Sequence, residues 1–426
     1  MTIVIGGGLA GLVTAHQLAT AGHRITLIEK RSTLGGLIAS DTIGGVRVDI
    51  GAESFARRNS AVTDFVHSLG LETLVPSGRS WIWNGSPLLI PKDTSLGIPA
   101  DPHSPEIRHI LENPDRVTAD LTLDPTIGME ATTVAELVEA RMGSEILERL
   151  VSPIATAIYS TNPSRLAINP QLKADFVSTG SLAKAVAKGL GGPAVASVKG
   201  GMFHLIDTLV RDLKDSGARI LTNTEATGLS YGSRANVTAM TDGTEQTFSA
   251  DHVVLATSIT PAITLLNRVT NLEPFTVPMG RPTTHVTLVL NSAALDGAPR
   301  GSGMLCVPGT SRAKALTHLS CKWSWMREVT DKHAVRVSYA TNDRVNVDDA
   351  LADMNELMGT SIGPEAVAGS KIVRWGNALT PSTPELRQWA DSITTPDWLH
   401  VTGAWRAGTG VASVIPHALQ TAADLS

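Results

Sequence analysis

Cysteine is almost absent from this chain: Cys306 and Cys321 are the only two in 426 residues. They provide neither a disulfide framework nor metal-ligand spacing, and a role as small, buried apolar side chains accounts for them. Such sparse cysteine fits a reducing compartment, and a cytoplasmic protein is expected. Long apolar runs are also missing. None approaches the ~18 residues of a membrane span, which leaves only peripheral membrane contact open. The chain begins directly on an apolar strand, without a basic n-region, so no targeting segment is expected. There is no excess of positive charge. Lys and Arg number 35 against 40 Asp and Glu, a formal net charge of −5, which argues against a nucleic-acid partner. No repeat, low-complexity tract, metal-ligand spacing or Ser/His/Asp cluster stands out. Neither a metal site nor a catalytic side chain is therefore assigned. What remains is a soluble globular composition, 42% hydrophobic, long enough for two or three domains.

The most informative pattern lies in the first 54 residues. The apolar run Ile3-Val4-Ile5 ends in Gly6-x-Gly8-x-x-Gly11, and a helical pattern follows from Leu9 to Ala21. Gly6 permits a tight turn, Gly8 lets backbone approach a pyrophosphate, and Gly11 lets helix and strand pack closely. The helix N-terminus offers free N–H groups to phosphates. A second apolar run, Arg24 to Ile28, ends at Glu29, whose carboxylate can accept from a ribose diol and disfavours a 2′-phosphate. Gly35-Gly36 and Gly51-Ala52-Glu53-Ser54 extend the close-approach backbone, as a long cofactor such as FAD would need; taken alone, these glycines also read as loop punctuation. No second GxGxxG follows a later strand, so oxygen or another protein is the expected electron acceptor rather than NAD(P)H.

The rest of the chain alternates between patterns. A loop and helix (Ala61 to Leu69) complete the first stretch. Short strands follow from about 76 to 98, including Trp81-Ile82-Trp83 before Asn84-Gly85. Residues 104–190 read as mainly helical. Thr133-x-x-Glu136 is a capping box for a helix ending near Gly143. Ser144 can cap the next helix, which should kink or break at Pro153. A helix over 202–216, stopped by Gly217, leads to a strand at Arg219 to Leu221. A hairpin around Asp242-Gly243 and a strand at Val253 to Leu255 come next. From about 262 to 370, strands at His285 to Leu290, Leu316 to Trp323 and Ala334 to Tyr339, with a helix at Asp348 to Met358, suggest an antiparallel sheet. Near the end, Gly403 to Ser413 opens onto a terminal helix near Ala412. That turn is either a simple connection or a helix N-terminus facing the negative charge of a reduced flavin.

The predicted fold is α/β: a discontinuous, Rossmann-like FAD domain from 1–75, 195–260 and 371–426, an antiparallel-sheet domain from 76–98 and 262–370, and a helical insertion over 99–194.

Several stretches together resemble the FAD-dependent porphyrinogen oxidases of the flavin amine-oxidase-like superfamily. Asp49 to Phe55 is similar to that family's Gly-Pro-acid-Ser-aromatic turn. Leu89-Ile90-Pro91-Lys92 with Leu96-Gly97-Ile98-Pro99 resembles its segment ending in Gly-Ile-Pro. Ala157-Ile158-Tyr159 with Leu166, Lys199 to Met202 with Leu205, and Gly403 to Ser413 complete the set. Ala52 stands where the family usually has Pro, and Leu37 where a basic residue is frequent. Pro381 to Leu386 lacks the usual Gly-His.

The resemblance implies non-covalent FAD held by Gly6, Gly8, Leu9, Ala10 and Gly11, by Glu29, Lys30 and Arg31, and by Gly51, Ala52, Glu53 and Ser54. It also implies adenine contact at Ala226, with Trp375 and Val411-Ala412-Ser413 against the flavin, although a tryptophan ending a strand also suits a core. The sheet domain would bind substrate. The implied reaction is aerobic oxidation of a porphyrinogen in haem biosynthesis, with coproporphyrinogen III preferred and protoporphyrinogen IX the alternative. Six electrons would leave in three steps, each a hydride from a meso carbon to flavin N5, with hydrogen peroxide released. Arg57, Arg58 and Lys92 are candidates for the substrate propionates, and Tyr159 for the cavity wall; each also suits a surface or packing role. Transient contact with the next haem-synthesis enzyme is a further expectation. A flavin amine oxidase, a carotenoid-desaturase-like enzyme and a non-catalytic FAD scaffold compete. Both cysteines lie before residue 322 and no tyrosine occurs after 371, which weighs against the amine oxidases.

Overall fold

The computed structural model describes residues 1–426 except 58, 59, 160, 161, 281, 341–343, 377–379, 382 and 426. The chain divides into two compact units. One comprises Met1–Val75, Ala194–Thr283 and Val373–Ser426; the other comprises Pro76–Pro193 and Thr284–Ile372.

The first unit is built on a parallel sheet. Its elements in chain order are β1 (Thr2–Ile5), α1 (Leu9–Thr20), β2 (Ile25–Ile28), the hairpin β3 (Ser40–Ile43) and β4 (Val46–Asp49), α2 (Phe203–Asp215), β5 (Arg219–Leu221), β6 (His252–Leu255), β7 (Leu399–Val401) and α3 (Val411–Ala423). The sheet order is β5-β2-β1-β6-β7, with every neighbouring pair parallel. Every residue of β1 and β2 is buried. That is why both read as continuous apolar runs rather than alternating ones. Side chains still alternate between faces. Val4 enters a core with Leu12, Leu18, Leu205 and Ile415, whereas Ile3 and Ile5 enter another with Val253, Leu265 and Trp389. On the first face α1 packs against α3, where the buried Thr14 hydroxyl donates to the Ala418 carbonyl at 3.2 Å. The hairpin predicted at Asp242-Gly243 joins Ala235–Thr241 to Thr244–Ala250, both turn residues having positive φ.

Most of a seven-stranded sheet belongs to the second unit. Its order is Val367–Trp375, Thr283–Leu290, His333–Tyr339, Ala315–His318, Gly303–Cys306, Ser80–Trp83, Pro87–Leu89. From Thr283–Leu290 to Pro87–Leu89 the pairings are antiparallel except that Gly303–Cys306 runs parallel to Ser80–Trp83. Helix Val347–Met358 covers a core containing Val286, Leu288, Val337 and Met354, and starts with an Asn346–Asp349 capping box. The helical stretch closes a core of its own with Ile107, Leu137, Leu150 and Phe176. Deep within it, Arg141 and Asp120 are both fully buried, with Nε 2.6 Å from Oδ1. Asp120 also accepts from the Ser181 hydroxyl and the Leu182 and Ala183 N–H groups, so it caps helix Leu182–Gly189.

Three local expectations change. The Thr133–Glu136 capping box forms and its helix ends before Gly143 at φ 93°, but Ser144 is the first helical residue of the next element, not its cap. That helix does not break at Pro153. It widens into a π turn over Leu147–Val151 immediately before the proline, which accommodates the ring and its missing N–H. The strand predicted to reach Trp323 stops at His318, and Leu319–Lys322 is a helical turn. The strand's last ladder pairs are Thr317 with Gly303 on one side and His318 with Val335 on the other. Among the described residues no helix is long and apolar enough to cross a membrane, and no group of three or more His, Cys, Asp or Glu could hold a metal.

Candidate functional site

Open α/β sheets hold ligands where the strand order reverses, beyond the carboxyl ends of the strands. Here that point lies between β1 and β6, and the glycine turn leaves β1 at this end. The structure separates the roles of its three glycines. Gly6 has φ 108°, and a Cβ on it would lie 2.7 Å from the Ala256 carbonyl oxygen. A Cβ on Gly11 would lie 1.9 Å from the Gly6 carbonyl oxygen. The fold itself requires both. Gly8 is different. Its φ of −76° suits any residue, and an added Cβ would meet only the Gly36 Cα, at 4.0 Å. Nothing in the protein demands glycine at 8, so the open face there fits a ligand that approaches the backbone.

The surrounding donors suit a pyrophosphate. α1 begins at Gly8 without a side-chain cap or an acid in its first turn. The N–H groups of Ala10 and Gly11 find no acceptor among the described residues. These are the groups and the dipole end that bind phosphate. Glu29 closes β2. It accepts the Gly7 N–H at Oε2 (2.7 Å) and the Arg31 N–H at Oε1 (2.8 Å). Each carboxylate oxygen keeps a lone pair for a diol.

Backbone contacts gather distant glycines on this turn. The Gly35 N–H donates to the Gly7 carbonyl at 2.8 Å, and a Cβ on Gly36 would sit 3.1 Å from the Gly8 Cα. The Ala52 N–H donates to the Leu37 carbonyl at 2.9 Å. At Gly51 a Cβ would be 2.0 Å from that same oxygen. Glu53 and Ser54 continue this turn, half-buried. Lys30 pairs with Glu225 on the surface, next to Ala226. A register shift follows between Ala226 and Gly228 in the strand Thr224–Tyr231. At the other end of the chain, α3 starts at Gly410, φ 98°, again without a side-chain cap. The N–H groups of Val411 and Ala412 have no acceptor among the described residues; the Ser413 N–H turns back to Gly410. Val411 and Ala412 share the core of Leu12 and Ile38. Trp375 is half-buried at the end of its strand.

The anion-binding candidates are less uniform. Arg57 is exposed in the first unit, where its N–H joins the Ala194 carbonyl. Arg58 lies outside the described residues. Lys92 is exposed in the second unit. Its N–H donates to Glu106, whose carboxylate also takes both terminal nitrogens of Arg79 at 2.9 and 2.8 Å. The Arg79 hydrogen bonds, then the Lys92 N–H, lower the Glu106 pKa to about 2. Glu106 is thus committed to Arg79, and the Lys92 ammonium has no ion-pair partner among the described residues. Tyr159, 51% exposed, lines a cavity of ≈ 450 Å³ with Leu96, Val134, Leu166, Asn169 and Asp175.

Sequence reasoning missed Arg79, whose partner lies on another element, and Asp49, which caps α2 from 153 residues away. Only the position of Asp49 beside Gly51 hinted at a role.

Residues 9–426 match the family model of the flavin containing amine oxidoreductases. A coproporphyrinogen III oxidase of Mycobacterium leprae is 29% identical over 97% of this chain and 95% of its own length. One from Bacillus subtilis is 23% identical over 99% and 97%. Among solved structures, one from Exiguobacterium sp. 255-15, provisionally named a protoporphyrinogen oxidase, shares the fold. Its TM-score is 0.78 at 21% identity, covering 100% of this chain and 98% of that one. The uncapped helix ends, the open face of Gly8 and the end-to-end family match lead to one conclusion: the chain belongs to the flavin containing amine oxidoreductase family and is an oxidoreductase whose cofactor is FAD.

Proposed function

We propose that this enzyme oxidises coproporphyrinogen III to coproporphyrin III with oxygen, as a step in haem biosynthesis in the cytoplasm. The observation that carries the reading is the end-to-end similarity to coproporphyrinogen III oxidases, over 97–99% of the chain in the two cases above. In this reading the first unit holds FAD and the second binds substrate. FAD, when bound, supplies the two-electron acceptor and the route to oxygen, with hydrogen peroxide as product. The chain's own contribution is placement and field. Ala10 and Gly11 receive the pyrophosphate, and Glu29 the ribose diol. Gly35-Gly36, the turn Gly51 to Ser54, and Ala226 line the cofactor's length. The α3 N-terminus at Val411 to Ser413 lies toward the flavin with Trp375, where its dipole favours negative charge. Arg57 and Lys92 offer cations to the propionates, and Tyr159 a wall. A net acidic chain needs such local cations for a tetra-anionic substrate.

The test is a comparison of kcat/KM for coproporphyrinogen III and protoporphyrinogen IX under air, with peroxide counted. The expected result is preference for coproporphyrinogen III and about three peroxides per porphyrin, six electrons leaving in pairs. Preference for protoporphyrinogen IX would overturn the substrate but not the chemistry. Oxidation of neither, with FAD bound, would return the amine-oxidase and scaffold readings.

A further inference from the structure

The turn between Asp49 and Ser54 is held at both ends by one distant stretch of chain. α2 begins after Gly200-Gly201-Met202, and none of these residues can supply a capping side chain; the cap residue, Met202, makes none. The first N–H groups of a helix need an acceptor. Asp49, the last residue of β4 and only 6% exposed, supplies it. Oδ2 accepts the Met202 N–H at 2.8 Å and Oδ1 the Phe203 N–H at 3.0 Å. Four residues later, the Glu53 carbonyl accepts the hydroxyl of Ser197 at 2.7 Å, and Ser197 is 1% exposed. Ser197 belongs to the strand Val195–Val198, immediately upstream of α2. Residues 197–203 therefore bracket residues 49–53.

Inside the bracket the turn has little freedom. Gly51 already presses on the Leu37 carbonyl, with space for no Cβ (2.0 Å), and Ile50 and Ala52 are bonded to the 37–39 backbone. Loss of a bracket bond removes one of the restraints that set where this backbone lies.

We propose that Asp49 and Ser197 are positioning residues for FAD, fixing the Gly51–Ser54 turn through its backbone without touching the cofactor themselves. The proposal rests on the placement of FAD at that turn. It assigns to the 195–203 segment a role beyond packing: cofactor affinity depends on three hydrogen bonds made by two buried side chains, each spanning more than 140 residues of sequence.

The test uses Ser197→Ala, Asp49→Asn and, as a marker of the site itself, Gly8→Val. Each full-length protein is stripped of flavin and titrated with FAD; the flavin absorption spectrum and the melting temperature of the apoprotein are also measured. Ser197→Ala should lower the apoprotein melting temperature only slightly and bind FAD about three- to tenfold more weakly, the size of one neutral hydrogen bond. Asp49→Asn keeps one acceptor oxygen and loses the charge at the helix end. It should bind FAD at least about tenfold more weakly and shift the flavin bands. A purely structural role would lower only the apoprotein melting temperature, leaving affinity and spectrum native, and that result would overturn the proposal. Should Asp49→Asn fail to fold, Ser197→Ala decides alone. Loss of FAD in Gly8→Val with native binding in the other two would reject the bracket and keep the site. Native binding by Gly8→Val would remove both.

Discussion

Glu29 accepts a hydrogen bond from the backbone N–H of Gly7 at 2.7 Å. The acid that closes β2 thereby orients the turn that follows β1, and one hydrogen bond joins the two halves of the dinucleotide pattern. The glycines on either side of that bond differ in purpose, and mutation can separate them.

Gly8→Val should fold and fail to hold FAD. The nearest protein atom to a Cβ at 8 is 4.0 Å away, and the backbone there is ordinary. Gly11→Val should not fold, since its Cβ would strike the Gly6 carbonyl at 1.9 Å. Circular dichroism with flavin absorbance after desalting distinguishes the two. A flavin-loaded Gly8→Val would show that the cofactor lies elsewhere.

FAD should be released intact by acid precipitation. Cys306 and Cys321 belong to the second unit, and residues 371–426, which carry the α3 turn, contain no cysteine. Yellow colour retained in the pellet would reject a non-covalent cofactor.

Lys92→Ala should raise the KM for a porphyrinogen and weaken its dependence on salt. The Lys92 ammonium has no ion-pair partner among the described residues, whereas Arg79 is already neutralised by Glu106. A charge-assisted contact contributes about 1.5–3 kcal/mol, roughly ten- to a hundredfold in KM. Steady-state kinetics at two ionic strengths measures it; an unchanged KM would remove Lys92 from the site.

Arg141→Ala should lower stability by about 3–5 kcal/mol, because it strands Asp120 in a fully buried setting. Arg108→Ala breaks a looser exposed pair with Asp115 at 3.8 Å, and should change stability by less than about 1 kcal/mol. Urea unfolding followed by circular dichroism compares them. Equal effects would mean that burial of the pair is unimportant.

Acid should destabilise the second unit through His318. Burial, with smaller contributions from the charges of His333 and Arg327, pushes its pKa down to about 4. The unfolded chain takes up this proton near pH 6.5, before the folded one does. The stability is present in full above about 6.5 and declines as pH falls toward about 4. His318→Gln should flatten that part of the profile in melting experiments. A profile unchanged by the substitution would place the sensitivity in other groups.

The sequence by itself determined the local pieces. The β1–α1–β2 unit, the capping box at Thr133, and the Asp242-Gly243 hairpin follow from periodicity and from backbone preferences a few residues long. Gly6, Gly8 and Gly11 were legible as a set because their spacing is local. The fold alone decided what depended on distant partners. It ended a strand at His318 in a helical turn, and widened a helix into a π turn ahead of Pro153. It also distinguished the two glycines required by packing from the one left open to a ligand. Ser197 holding Glu53 had no signal in sequence, and Asp49 showed only its place at the head of the glycine turn, not its partner on α2. A hydrogen bond acts over about 3 Å, and only the folded chain brings residues 153 and 144 positions apart within that reach.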